Sequence, residues 1–404
     1  MSEAGRQIAA ARPRVVAALA ARLRDLDAAE DAFSDAAASA LSAWVAEPPR
    51  DPIAWLWRAS LRKALDAKRR AKVRAQAIHD APEPQPTPEE ALMAADAPIP
   101  DERLRLIFVC CHPALAPESR AALTLKVVCG LSTDRLARAF FTAEPAMLQR
   151  ITRAKRKIAG AGVPFEIPAR EAWSERLEAV LSTLEIAYAQ AYEDAALAGD
   201  TAGFADEVLR LSGLLAELTP DEPEVLGLAA LVRFAEARRP ARLDDAGAMV
   251  PPGEQDTALW RGDLIAEGAR LLDRAADLER SGPRQILAAI HATHCGRIET
   301  GRTDWPAIAA LYDVLAQTRP HPSTRVNRAV AVGEAEGPAA GLAELAAIGG
   351  LEGWLPYQAA LAGLAARAGR RETAIAAYDA ALTLEPAPAE RAYLERARGR
   401  LAAG

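Results

Sequence analysis

The chain has 404 residues, 50% apolar and 5% aromatic, with a net charge of −6, enough for two or three globular domains, each with its own core. It holds no run of about 18 uncharged apolar residues, and its N-terminus, MSEAGRQIAAARPRVV, lacks the apolar core and cleavage site of a secretory leader. Four cysteines, Cys110, Cys111, Cys129 and Cys295, make no disulfide framework at this length, so a reducing cytoplasm is the expected compartment.

The charge is unevenly spread. Residues 1–75 hold 14 Lys and Arg against 9 Asp and Glu, residues 76–100 hold five acids and no base, and residues 101–170 hold 12 bases against 6 acids. The rest, 171–404, has 23 bases against 35 acids. Basic segments draw polyanions whatever the total charge, so nucleic acid is expected at the N-terminal end alone.

Three helices are expected in 1–75. Asp27 with Glu30 forms a capping pattern, followed by apolar periodicity through Phe33, Ala37, Leu41 and Trp44. EPPRDP breaks the chain, and Asp51 then caps a helix with Pro52 at its first position. That helix turns Ile53, Leu56 or Trp57, Leu61 and Leu65 inward, and its second half is basic. APEPQPTPEE, with four prolines between Pro82 and Pro88, predicts an extended, mobile linker over 76–100.

A helical unit is expected from Asp101. DERLRLIFVCCHPAL is one helix and APESRAALTLKVVCG another, closed by Gly130. Ser132 or Thr133 opens a short helix with Leu136, Ala137 and Phe140 inward, and TAEP turns the chain. Pro145 begins a second helix with Leu148, Ile151, Ala154 and Ile158 on one side and Gln149, Arg150, Arg153, Arg156 and Lys157 on the other. Two helices about four residues apart, the second apolar on one face and basic on the other, predict a helix-turn-helix. The basic face serves either phosphates and base edges or solvent alone.

From about Glu171 the pattern is helix hairpins. In LAGLAARAGRRETAIAAYDAALTLEP, residues 361–386, the positions Leu364, Gly369, Ala374, Tyr378, Ala381, Leu382 and Pro386 are spaced like one tetratricopeptide repeat. Segments 210–237 and 305–337 read as degenerate versions, with an irregular insertion over 238–257. Such units bury their apolar faces by stacking, which predicts an α-solenoid of roughly six to eight helices.

CCHP, Cys110 to Pro113, has no CxxC partner pair and reads as helix packing rather than a zinc site. His291, His294 and Cys295 share one helix and read as core before metal. There is no Walker loop, nucleophile elbow or paired carboxylate in a catalytic setting, so no enzyme, no cofactor and no metal are expected.

LRLIFVCCHPAL, ARAFFTAEPAMLQRITRAKRKI and VPFEIP in the first half, with LTPDEPEVLGLAAL, DWPAIAALYDVL and NRAVAVGEAEGPAAGL in the second, resemble bacterial extracytoplasmic-function RNA polymerase sigma factors. The likeness is to the subgroup with a tetratricopeptide-like C-terminal extension. It departs at LEIAYAQAY, where Ala-Gln-Ala stands in place of a Phe-Asn-Glu-Gly-like sequence. The resemblance implies an all-α protein of two small DNA-binding domains and a regulatory solenoid: sigma region two over 1–75, sigma region four over 101–168, and helical hairpins over 169–404. It implies core RNA polymerase and promoter DNA as partners, with a further protein partner for the solenoid, and no membrane.

By that resemblance Arg150 and Arg153 face the −35 element, flanked by Arg138, Glu144, Gln149, Lys155 and Arg156. Arg58, Arg62, Lys63, Arg69 and Arg70 grip the −10 element, and Trp55 and Trp57 either stack bases or are buried. Asp31, Ser34 and Asp35 dock on the polymerase clamp helices. Two rival expectations are a stand-alone helix-turn-helix regulator and a repeat scaffold with no DNA affinity.

Overall fold

The computed structural model describes residues 3–44, 49–76, 102–140, 142–163, 165–194 and 202–403, with side chains except at 71–76, 138–139, 170, 190–194, 202–204, 207 and 403. The expected linker, beyond Gln76, lies outside the described residues. Among those described, the protein is all-α: there is no strand, and one isolated bridge joins Leu243 and Met249. None of the described helices is long and apolar enough to cross a membrane. The chain divides into two compact units, Met1–Ala187 and Tyr188–Gly404.

In the first unit α1 (Glu3–Leu23), α2 (Leu26–Ala43) and α3 (Pro52–Gln76) pack on one another. Arg24, in the left-handed region at φ 53, ends α1, and Asp25 then caps α2 by accepting the Ala28 N–H at 3.1 Å. The cap is therefore Asp25 and not Asp27, which lies inside the first turn. The inward stripe of α2 runs Ala29, Phe33, Ala36, Ala40, Trp44, and Leu41 is 48% exposed. Helix α3 starts as its sequence predicts: Asp51 accepts the Ala54 N–H at 3.0 Å, Pro52 is the first helical residue, and Leu56, Leu61 and Ala64 are buried.

Helices α4 (Arg103–Cys110), α5 (Pro117–Val127), α6 (Thr133–Ala139) and α7 (Glu144–Gly160) follow. Helix α4 packs on α1, so the two basic segments lie in one compact unit. Past α5 the chain turns on Gly130 at φ 77. Helix α7 rests on α5 and α6 and buries Met147, Ile151, Ala154 and Ile158. Leu148, expected inward, is 55% exposed: the neighbouring Met147 continues the 4-3-4 spacing and takes its place.

Helix α8 (Trp173–Asp194) begins as part of the first unit's core. The Trp173 ring meets Phe108 edge-on at 5.2 Å, Arg176 Nη2 donates to the Phe108 carbonyl at 2.7 Å, and Leu177, Val180, Leu181 and Leu184 are buried.

The second unit continues with α9 (Ala202–Leu218), α10 (Pro223–Arg238), α11 (Gly262–Asp277), α12 (Pro283–Cys295), the single turn α13 (Arg297–Thr300), α14 (Trp305–Thr318), α15 (Pro322–Ala335), α16 (Pro338–Ala346), α17 (Leu355–Arg367), α18 (Arg371–Thr383) and α19 (Pro388–Ala403). These outnumber the six to eight expected. Short helices such as α13 and α16 carry too few apolar positions to show a period. The three hairpins read from sequence are the helix pairs α9–α10, α14–α15 and α17–α18. In the last pair Gly369 sits at φ 71, and Leu364, Ala374, Tyr378, Ala381 and Pro386 are buried.

Each helix packs on helices one or two places away in chain order, and the core runs as local clusters. Phe234, Ala288 and Cys295 form one, Ile290, Ile308 and Leu315 the next, and Ala362, Tyr378 and Leu394 another near the end. The insertion over 238–257 is irregular but tied down. Asp244 accepts the Ala246 and Ala248 N–H groups and pairs with Arg396 at 2.6 Å, while Met249 N–H donates to the Ala389 carbonyl at 3.0 Å. It thereby links the end of α10 to α19.

Candidate nucleic-acid interface

The seating of α7 rests on local sequence. Pro145 in the first turn of α7 gives up an N–H that would lack a helical partner anyway, and the buried stripe fixes how the helix is rotated on α5 and α6. That rotation leaves Glu144, Gln149, Arg153, Arg156 and Lys157 exposed and Arg150 half-buried. Arg150, Arg153 and Lys157 line a hollow of about 360 Å³ with Leu115, Ala116 and Ser119, at the start of α5. Arg153 Nε donates back to the Gln149 carbonyl at 3.3 Å, which lays its stem along the helix. Arg138 is on α6, but its side chain lies outside the described residues.

Lys155 does not join this surface. Its side chain is 13% exposed and its Nζ contacts Asp27 at 2.5 Å and Glu30 at 2.7 Å, both on α2. Burial alone would lower the Lys155 pKa, but Glu30 and Asp27 together outweigh it and hold the ammonium above its usual 10.5. Glu30, itself buried, also takes Arg12 Nη2 at 2.7 Å, and the Arg12 guanidinium lies 5.4 Å from the centre of the Phe33 ring. The same side chain passes over Gly130, where a Cβ would come within 2.4 Å of Arg12 Nε. Arg12 joins α1, α2 and the end of α5, a role sequence reading missed; no local pattern links residue 12 to residues 30 and 130.

A raised lysine pKa stabilises the folded state below the unfolded value, and that contribution disappears as pH rises through the folded one. The first unit is therefore expected to lose stability above pH 10.5, and the loss should be smaller in Lys155→Met when denaturant midpoints are compared across pH.

On α3, Arg58, Arg62, Lys63, Arg69 and Arg70 are all exposed, along more than three turns of helix. Trp55 is half-buried, its ring edge-on to the buried Trp44 at 5.5 Å and 78°, and Trp57 is half-buried too. On α2, Asp31, Ser34 and Asp35 are exposed on the face opposite the Phe33 stripe.

Residues 176–276 match a family of unknown function (DUF6596). Across 98% of its length the chain is 40% identical to an uncharacterized protein of Rhizobium meliloti (strain 1021), covering 95% of that relative. The chain belongs to that protein's family. No solved structure matches it.

The remaining chemistry-bearing clusters in this family member are core. Cys110 and Cys111 are buried, and burial pushes both thiols up in pKa, Cys110 most strongly. Cys111 Sγ lies 3.2 Å from Thr124 Oγ1, and His112 Nδ1 accepts the Ala114 N–H at 3.1 Å to shape the turn after α4. On α12, burial drives His291 well below the ordinary histidine pKa and His294 down to about 4, with the nearby Arg238 adding to both; Cys295 is pushed up to about 11 by burial. Arg238 Nη2 sits 2.8 Å from His291 Nδ1, so a neutral imidazole there serves as acceptor. Among the described residues, no three His, Cys, Asp or Glu side chains converge as metal ligands.

Proposed function

We propose that the chain is an RNA polymerase sigma factor of the extracytoplasmic-function type. It joins core polymerase through α2, contacts promoter DNA through α3 and α7, and is regulated by its second, tetratricopeptide-like unit. The observation that carries this reading is α7: the second of two consecutive helices, seated by an apolar stripe, with Arg153, Arg156 and Lys157 exposed and Arg150 beside them, an arrangement that suits a helix-turn-helix. Arginine forks are suited to guanine edges, and the flanking cations to phosphates. The exposed cations of α3 supply a track of the kind an opened strand follows, and Asp31, Ser34 and Asp35 leave an acidic face for polymerase. The excess of acid over base in 171–404 suits a unit that competes with DNA for the basic helices.

Transcription in vitro with bacterial core polymerase on a promoter library tests the reading. The chain is expected to direct initiation from a subset of templates. Changing Arg150 and Arg153 together to alanine should weaken promoter binding at least about tenfold, because each good base contact contributes about 1–3 kcal/mol. Asp31→Lys with Asp35→Lys should abolish association with core while leaving the fold intact. Duplex binding that survives the acidic-face changes, with no association to polymerase, would instead identify a stand-alone regulator. Absence of any salt-dependent DNA affinity would leave the scaffold reading.

A further inference from the structure

We propose that the groove between α9 and α11, floored by α10, binds a small phosphomonoester on Arg233, Arg270 and Arg274. The groove encloses about 440 Å³ and is lined by these three arginines with Gly213, Glu217 and Glu267 among its walls. That volume falls in the range of small-ligand sites, about 300–1,000 Å³. Arg233 is held in place: it is 14% exposed, its Nε donates to Glu267 at 2.8 Å, and its Nη1 donates to the Ala229 carbonyl at 3.2 Å. Its Nη2 points past Gly213, where a Cβ would stand 2.9 Å away. A glycine in the middle of α9 is unfavourable for the helix, and here its missing side chain keeps that guanidinium edge clear.

Arg270 and Arg274 stand one turn apart on the same face of α11 as Glu267. Like charges at that spacing repel, and neither arginine has a hydrogen bond or ion pair to any described residue. Their unit, 188–404, carries 31 acids against 22 bases, so the lack of a partner for them among the described residues is not for want of carboxylates. Three arginines line one hollow, Arg233 fixed and Arg270 and Arg274 exposed at its edge, and guanidinium forks are suited to phosphate oxygens. Glu217 and Glu267 at the walls accept from hydroxyl or amino groups, which favours a sugar phosphate or nucleoside monophosphate over a bare anion.

This site is independent of DNA and polymerase, so its test is too. Isothermal titration of the full chain with ribose 5-phosphate, adenosine monophosphate and inorganic phosphate, at low ionic strength, should show one site per chain. At least one phosphomonoester is expected to bind with a dissociation constant below about 1 mM and more tightly than inorganic phosphate. Arg270→Gln with Arg274→Gln should weaken it at least tenfold. The same pair should slightly raise the thermal midpoint of the ligand-free protein by relieving repulsion, and that rise separates a lost site from a damaged fold. Gly213→Val, which crowds Arg233, should weaken binding with Arg270 and Arg274 intact. No binding of any of the three probes, or equal affinity in the double variant, would overturn the proposal.

Discussion

Glu30→Ala is expected to destabilise the first unit by about 3–5 kcal/mol, the range for removing one partner of a buried ion pair. Glu30 is 8% exposed and is the common acceptor of Arg12 and Lys155, whose side chains are 17% and 13% exposed. Its removal takes from Arg12 its carboxylate and leaves Lys155 with the exposed Asp27 alone, so the cost of burying the two cations is largely no longer offset. Asp27, the other partner of Lys155, is 68% exposed, so Asp27→Ala should cost no more than about 1 kcal/mol, as exposed pairs do. Replacing Arg12, Glu30 and Lys155 together by apolar residues of similar length should recover most of the loss, since a buried triad is a weak source of net stability. Urea denaturation of the four proteins, followed by tryptophan fluorescence, tests the set. A loss near 1 kcal/mol for Glu30→Ala would mean that water reaches the cluster and that it holds α7 against α2 only loosely.

That cluster also marks how far the sequence could be read. Signals confined to one helix end were legible: Asp51 with Pro52, Pro145, and Gly130 and Gly369 with their positive φ each stand where local chemistry put them. The helical phase was less secure. One residue turns a side chain by about 100°, which is why the sequence pattern puts Leu148 and Leu41 inward where Met147 and the row Ala36, Ala40, Trp44 fill those positions. Asp27 and Glu30 looked like a capping pair because their spacing fits one, yet both carboxylates serve Lys155, 128 residues from Asp27. Nothing in a local window links them, and so from sequence Lys155 reads as one more cation of its own basic helix. For the same reason Arg233, Arg270 and Arg274 read singly as solvated arginines, and only the packing of α9, α10 and α11 brings them to one groove.

Gly341→Ala is expected to lower the stability of the second unit by about 2 kcal/mol, although alanine is the better helix former. Gly341 is buried in α16, and a Cβ there would lie 2.7 Å from the Ala329 carbonyl oxygen and 2.8 Å from Gly333 Cα. Those neighbours are backbone of α15, so no side chain can turn away and the two helices must separate. Overpacking of this kind costs about 1–3 kcal/mol, more than the propensity gain of up to about 1 kcal/mol. Gly363, in the middle of α17, supplies the opposite case. It has nothing within 4 Å of its would-be Cβ, so Gly363→Ala should stabilise by up to about 1 kcal/mol. Two identical substitutions in neighbouring helices should therefore move the unfolding midpoint in opposite directions, by about 2–4 °C per kcal/mol for a unit of this size. Gly333 and Gly341 both lie in NRAVAVGEAEGPAAGL, so that segment's two facing glycines set how closely α15 and α16 approach. Stabilisation by Gly341→Ala would show that the helices can part without loss and that this close approach contributes nothing to the fold.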